Sequence, residues 1–98
     1  MHALTLISTT QRPLKPMIEA ALANELRLLK AAIRRSERRL LAFEASYGMP
    51  TGEFLRRFES DELQESLDFA EWIGEHRLLE RLREKAATLQ GIQFANCA

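Results

Sequence analysis

The sequence predicts an all-α fold, an antiparallel helical hairpin with a short connecting helix, and three observations carry that expectation. The apolar residues are lopsided, with 16 Leu, 13 Ala and 5 Ile but no Val, a choice that favours helix over sheet. Leucines and other large apolar residues recur at alternating steps of three and four along the first half of the chain, the spacing of a coiled-coil-like seam. The three prolines stand at 13, 16 and 50, where helices are expected to start or stop.

The elements follow in order. The 98 residues are expected to form a single domain, 1–98. Residues 1–12 are an N-terminal arm whose Ala3–Ser8 stretch reads as a short strand. A lone strand leaves its amides and carbonyls unpaired, so this one is expected to pair between chains or with a partner. One long helix is expected over 13–47, opened by Pro13 and Pro16 and ended by Gly48 and Pro50. Its seam is Leu22, Leu26, Leu29, Ile33, Ser36, Leu40, Phe43 and Tyr47, with Ser36 the one polar interruption. Thr51 is expected to cap a short helix over 51–60, with Phe54, Leu55 and Phe58 on its apolar face. Ser66 is expected to cap the last helix, 66–90, which Gly91 ends. The core-facing set there is Phe69, Trp72, Ile73, Leu79, Leu82, Ala86 and Leu89, and Gly74 is expected to permit close packing. Residues 91–98 form a tail.

A chain of this length buries only about 60–65% of its unfolded surface. Leu28 and Leu41 also lie off the seam, where a hairpin cannot cover them. A homodimer or higher homo-oligomer is therefore expected, with Leu4, Leu6, Leu22, Leu26, Leu29, Ile33 and Leu40 as the residues that would build it. The seam is also open to pairing with the second long helix of the same molecule, since heptad spacing alone does not distinguish the two.

Lysine plus arginine and aspartate plus glutamate both number 14, yet the charge is partitioned. Residues 1–48 carry eight basic and four acidic side chains, and residues 49–98 six and ten, so the halves are +4 and −4. Arg27, Lys30, Arg34, Arg35, Arg38 and Arg39 form a basic run opposed locally by Glu37. Glu59, Asp61, Glu62, Glu65, Asp68, Glu71 and Glu75 have no basic residue among them. Folding the hairpin brings Arg38 and Arg39 level with Glu71 and Glu75, so part of this charge is expected to cancel internally. The remaining acidic surface suits a basic partner, since complementary charge governs association rate and selectivity. With no net charge and no reading motif, nucleic acid is not an expected partner. No run of about 18 apolar residues predicts a membrane span.

Catalytic and metal chemistry lack the residues they need. His2 and His76 are the only histidines and Cys97 the only cysteine. No Cys-x-x-Cys, His-x-x-x-His or glycine-rich phosphate loop occurs. The carboxylates at 65, 68, 71 and 75 share helical spacing, but a solvated face explains them as well as a metal does. No enzyme activity, cofactor or metal is expected, and a single cysteine fits the cytoplasm. Phe54, Phe58, Phe69 and Trp72 gather within nineteen residues of the turn. Phe58, Glu62, Glu65, Asp68, Glu71 and Trp72 are the expected partner-binding residues, aromatic anchors rimmed by charge; the alternative is that the aromatics cement the short helix against the two long ones.

Tyr47-Gly48-Met49-Pro50-Thr51, Glu53-Phe54-Leu55-Arg56-Arg57-Phe58-Glu59, Glu62-Leu63 and Leu67-Asp68-Phe69 followed by Glu71-Trp72 form a spaced motif. Over roughly residues 22–91 it resembles that of small helical bacterial and archaeal proteins of the antitoxin type, encoded beside a small toxin. Gln64-Glu65 stands where that pattern has Gly-Asp or Gly-Glu. The resemblance implies a non-enzymatic antitoxin that neutralises a small cognate toxin by direct binding, and the acidic surface leads to the expectation that this toxin is basic. The alternative is an oligomeric coiled-coil scaffold without a toxin partner.

Overall fold

The computed structural model describes the backbone of residues 2–4 and 13–94. In chain order they form β1 (His2–Leu4), α1 (Leu14–Tyr47), α2 (Thr51–Glu59), α3 (Leu67–Gln90) and β2 (Ile92–Phe94). α1 packs along α3 and meets α2 near its end. The architecture is the expected all-helical hairpin.

Local chemistry sets each boundary. α1 ends because Gly48 adopts the left-handed conformation, φ 64°, and its N–H closes on the Glu44 carbonyl, a conformation that glycine alone enters without cost. α3 begins at Ser66, whose hydroxyl accepts from the Phe69 N–H at 3.1 Å, as its sequence position suggests. α2 departs from expectation. Pro50 takes the cap position and Thr51 is the first helical residue. The orphan N–H of Thr51 donates instead to the Glu44 carboxylate at 2.7 Å, so a side chain of α1 caps α2.

The core sits at the closed end of the hairpin. Phe54 and Trp72 are fully buried, joined by Leu40 and Leu79, with Ile33, Phe43, Met49, Phe58, Phe69 and Ile73 packed around them. Phe54 stacks on the Trp72 indole, centroids 3.9 Å apart and planes within 4°. Phe43 lies nearly parallel at 5.5 Å. The indole N–H donates to the Thr51 hydroxyl at 3.0 Å, which turns that side chain inward, away from any capping role. Residues from all three helices therefore meet at one ring.

Several expectations change. Leu29 and Leu40 are buried and Ile33 half-buried; this stretch of the seam faces α3 of the same chain, so these three are not free to build an oligomer. Trp72 is core, as its place in the core-facing set of the last helix predicts, and with α2 folded across it the expectation that changes is its part in binding a partner. β1 pairs in parallel with β2, His2 opposite Ile92 and Leu4 opposite Phe94. Within the chain, the strand pairs with its own C-terminal segment, where pairing between chains or with a partner is the expectation. The physical reason is the hairpin itself, which carries Ile92–Phe94 back toward the start of the chain and supplies the long crossover that parallel pairing requires. The rest of the expected strand, with Leu6, lies outside the described residues, as does the side chain of Leu4.

Gly74 does not serve close packing either. A Cβ built there meets nothing within 4 Å, and the residue is exposed mid-helix. Gly74→Ala should therefore stabilise the protein by about 0.4–1 kcal/mol through the unfolded chain. A urea midpoint that rises with an unchanged slope would register this.

Candidate functional site

Two polar features lie at the hairpin's seam. Ser36 is 2% exposed and Glu75 8%, and both occupy core phase on their helices. The Ser36 hydroxyl donates to Glu75 Oε2, while Arg39 Nε lies 3.2 Å from Glu75 Oε1. Each carboxylate oxygen has a partner, which offsets part of the cost of removing the charge from water. The expected approach of Arg39 to Glu75 is present. Arg38 and Glu71, by contrast, are exposed and form no ion pair among the described residues.

The turn end carries the residues expected to bind a partner. Glu62 is exposed and pairs with Arg56 at 3.5 Å. Asp68 accepts a hydrogen bond from the Tyr47 hydroxyl. That bond, more than burial, holds the Tyr47 phenol above its ordinary pKa. Glu65 and Glu71 are exposed, and with Glu59 and Asp61 they form no ion pair among the described residues. Phe58 is half-buried against Phe54, centroids 5.9 Å apart. It lines an open groove with Glu65, Ser66, Ala70, Ile73 and Arg77.

Trp72 cannot be an anchor for a partner, since its side chain has no exposed surface. The large apolar residue that this end exposes is one outside the expected set. Leu67 is 75% exposed and lies between Glu65, Asp68 and Glu71 at the start of α3. The Ser66 cap was the available signal, because it makes Leu67 the first helical residue, outside the phase of Phe69, Trp72 and Leu79. Phe58, Glu65, Leu67, Asp68 and Glu71 thus form an acidic surface with an apolar centre and a groove beside it.

The residues expected to support self-association separate into two groups. Leu22 and Leu26 are half-buried and line a groove with Lys15, Glu19, Leu89 and Ile92 at the open end of the hairpin. Leu28 and Leu41, off the seam, are 56% and 62% exposed. Among the described residues, no three His, Cys, Asp or Glu side chains converge as a metal set. None of the helices is long and apolar enough to cross a membrane.

One carboxylate gives this end a measurable pH signature. Glu53 accepts from Arg56 at 2.9 Å and from Arg57 at 2.9 Å. These bonds hold its pKa down from the usual 4.5 to about 2. A depressed folded-state pKa stabilises the protein above the ordinary value and is lost as pH falls through the lower one. Denaturation titrations should show stability declining between pH 4.5 and 2, and Glu53→Gln should flatten that part of the profile. An equal decline in the variant would assign the loss to other carboxylates.

Compared with known proteins, the chain matches no family model, no curated protein and no solved structure.

Proposed function

We propose that this protein is a non-enzymatic binding module, the antitoxin of a toxin–antitoxin pair, which neutralises a small basic toxin by covering its working surface. The observation that supports the reading most is the uncompensated acidic surface around Leu67. Glu65 and Glu71, on either side of Leu67 in the sequence, form no ion pair among the described residues, and neither do Glu59 and Asp61 near the end of α2, although Arg56 and Arg57 lie on that helix. Exposed charge steers association and excludes wrong partners, while an apolar centre supplies affinity. The residues that resemble the antitoxin motif, Tyr47–Thr51, Glu53–Glu59 and Leu67–Trp72, are the same ones that build this end of the hairpin. The protein acts in the cytoplasm in this reading.

A second reading, an oligomeric coiled-coil scaffold, is favoured by exposed Leu28 and Leu41. Large apolar side chains on one helix suit contact with a second copy. Homo-oligomerisation is compatible with both readings. The adjacent reading frame separates them, because an antitoxin requires a small product there that arrests growth when expressed alone.

Co-expression with that product should restore growth. Glu65→Lys combined with Glu71→Lys should leave helicity and melting nearly unchanged, since exposed charges add little to folding. The same double change should slow association with the partner about tenfold or more at low salt, and less at high salt. Undiminished association would remove the acidic surface from the account. Growth arrest that the protein fails to relieve would remove the antitoxin.

A further inference from the structure

The charges of α1 are sorted by direction. Glu25 reaches Lys85 at 3.7 Å, Glu37 reaches Arg83 at 2.9 Å, and Glu44 caps Thr51. All three carboxylates in this stretch are therefore committed to other helices. Arg27, Lys30, Arg34, Arg35 and Arg38 are exposed, and among the described residues none of them forms an ion pair. Only Arg39, at the edge of the run, is used internally, by Glu75. The cancellation expected from the sequence thus reaches one member of the run and leaves five cations facing outward.

Their spacing makes them one surface. Arg27, Arg34 and Arg38 follow at steps of seven and four, with Lys30 and Arg35 flanking, over about 16 Å of helix. Like charges at Lys30–Arg34 and Arg34–Arg38 stand at the four-residue spacing where they repel. An anion placed along the stripe would relieve that repulsion. Ala31, small and exposed, lies at its centre and allows close approach. Four of the five are arginines, whose planar donors pair bidentately with phosphate. Leu28 lies beside the stripe next to Arg35, and Leu41 follows at its C-terminal end, seven residues after Arg34, so the stretch between them lacks the large apolar anchor that a protein contact uses. The acidic end does not cancel it. Tyr47, which holds Asp68, is about 20 Å along the axis from Arg34 and about 14 Å from Arg38, beyond the screening length of about 10 Å at 0.1 M salt.

We propose that the outer face of α1, centred on Arg34 and Arg38, binds the phosphate backbone of duplex nucleic acid without reading its sequence. A duplex presents one charge per about 1.7 Å of axis, dense enough to engage several of these side chains at once. This surface is separate from the acidic one around Leu67 and does not depend on the toxin-binding reading.

Fluorescence anisotropy with a labelled mixed-sequence DNA duplex of about 24 base pairs tests it, from about 50 to 200 mM NaCl. Binding is expected at the lower salt, with log affinity falling against log salt at a slope of about −3 to −4.5 for three to five phosphate contacts. Arg34→Glu with Arg38→Glu should weaken binding at least tenfold and flatten the slope by about two. Arg81→Glu with Lys85→Glu, exposed on α3, should change affinity less than threefold. Circular dichroism melting checks each fold, and Arg34→Gln with Arg38→Gln replaces the first pair if the glutamates unfold it. Absence of binding at about 50 mM NaCl and 100 μM protein would overturn the proposal, as would equal losses from the two pairs. So would a 34/38 variant that dissociates an oligomer in sedimentation yet binds DNA unchanged, since the stripe would then be a protein contact.

Discussion

The hydrogen bond from the Trp72 indole to Thr51, inside a stack of aromatic rings, holds the three helices to one another. Trp72 comes from α3, Phe43 and Tyr47 from α1, and Phe54 and Thr51 from α2. A fully buried indole N–H without an acceptor would cost about 1–3 kcal/mol, so α2 must deliver Thr51 to that point. It can do so because Gly48 turns the chain sharply after α1 and Glu44 receives the first amide of α2. The tight Tyr47–Thr51 connection is thus one mechanical unit with the core. What it places on the outside follows directly, since Ser66 and Leu67 enter α3 just before the ring that must be buried.

Away from that end, polarity fixes how α1 and α3 align. Ser36 and Glu75 each interrupt an apolar seam, and they meet. Sliding one helix by a turn would leave a carboxylate buried against leucine, a cost of several kcal/mol. The same alignment brings Glu37 to Arg83 and Glu25 to Lys85. Register and charge sorting are therefore linked: aligning the helices turns Glu25, Glu37 and Glu44 toward the neighbouring helices and leaves Arg27, Arg34, Arg35 and Arg38 outside. A chain with no net charge ends with a basic flank and an acidic tip.

Much of this was legible in the sequence because it is local. Gly48, Ser66 and Gly91 marked helix ends to within a residue, and three- and four-residue spacing gave the core faces of both long helices. The approach of Arg39 to Glu75 followed from counting back around the turn. What was not legible depended on where α2 lies. Phe54, Phe58, Phe69 and Trp72 cluster in sequence, but whether they form a surface or a core is decided by α2 folding across Trp72. Thr51 reads as a cap because capping is its common local role, and only the distant indole draws it inward. Glu75 was grouped with Glu65, Asp68 and Glu71 by spacing, although it also shares phase with Trp72 and Leu79. The strand's partner could not be read, since the pairing of His2–Leu4 with Ile92–Phe94 joins opposite ends of the chain.

Hydrogen exchange of the Trp72 indole N–H, followed by NMR, tests the central claim most directly. If this bond ties the helices together, the indole proton exchanges only when the whole molecule unfolds. Its opening free energy then equals that from denaturant unfolding of the same sample. Exchange at the rate of an exposed indole, while the amides of α1 and α3 stay protected, would contradict it. The hairpin would then stand without the Trp72–Thr51 bond, and the closed end would not be the unit on which the acidic surface is built.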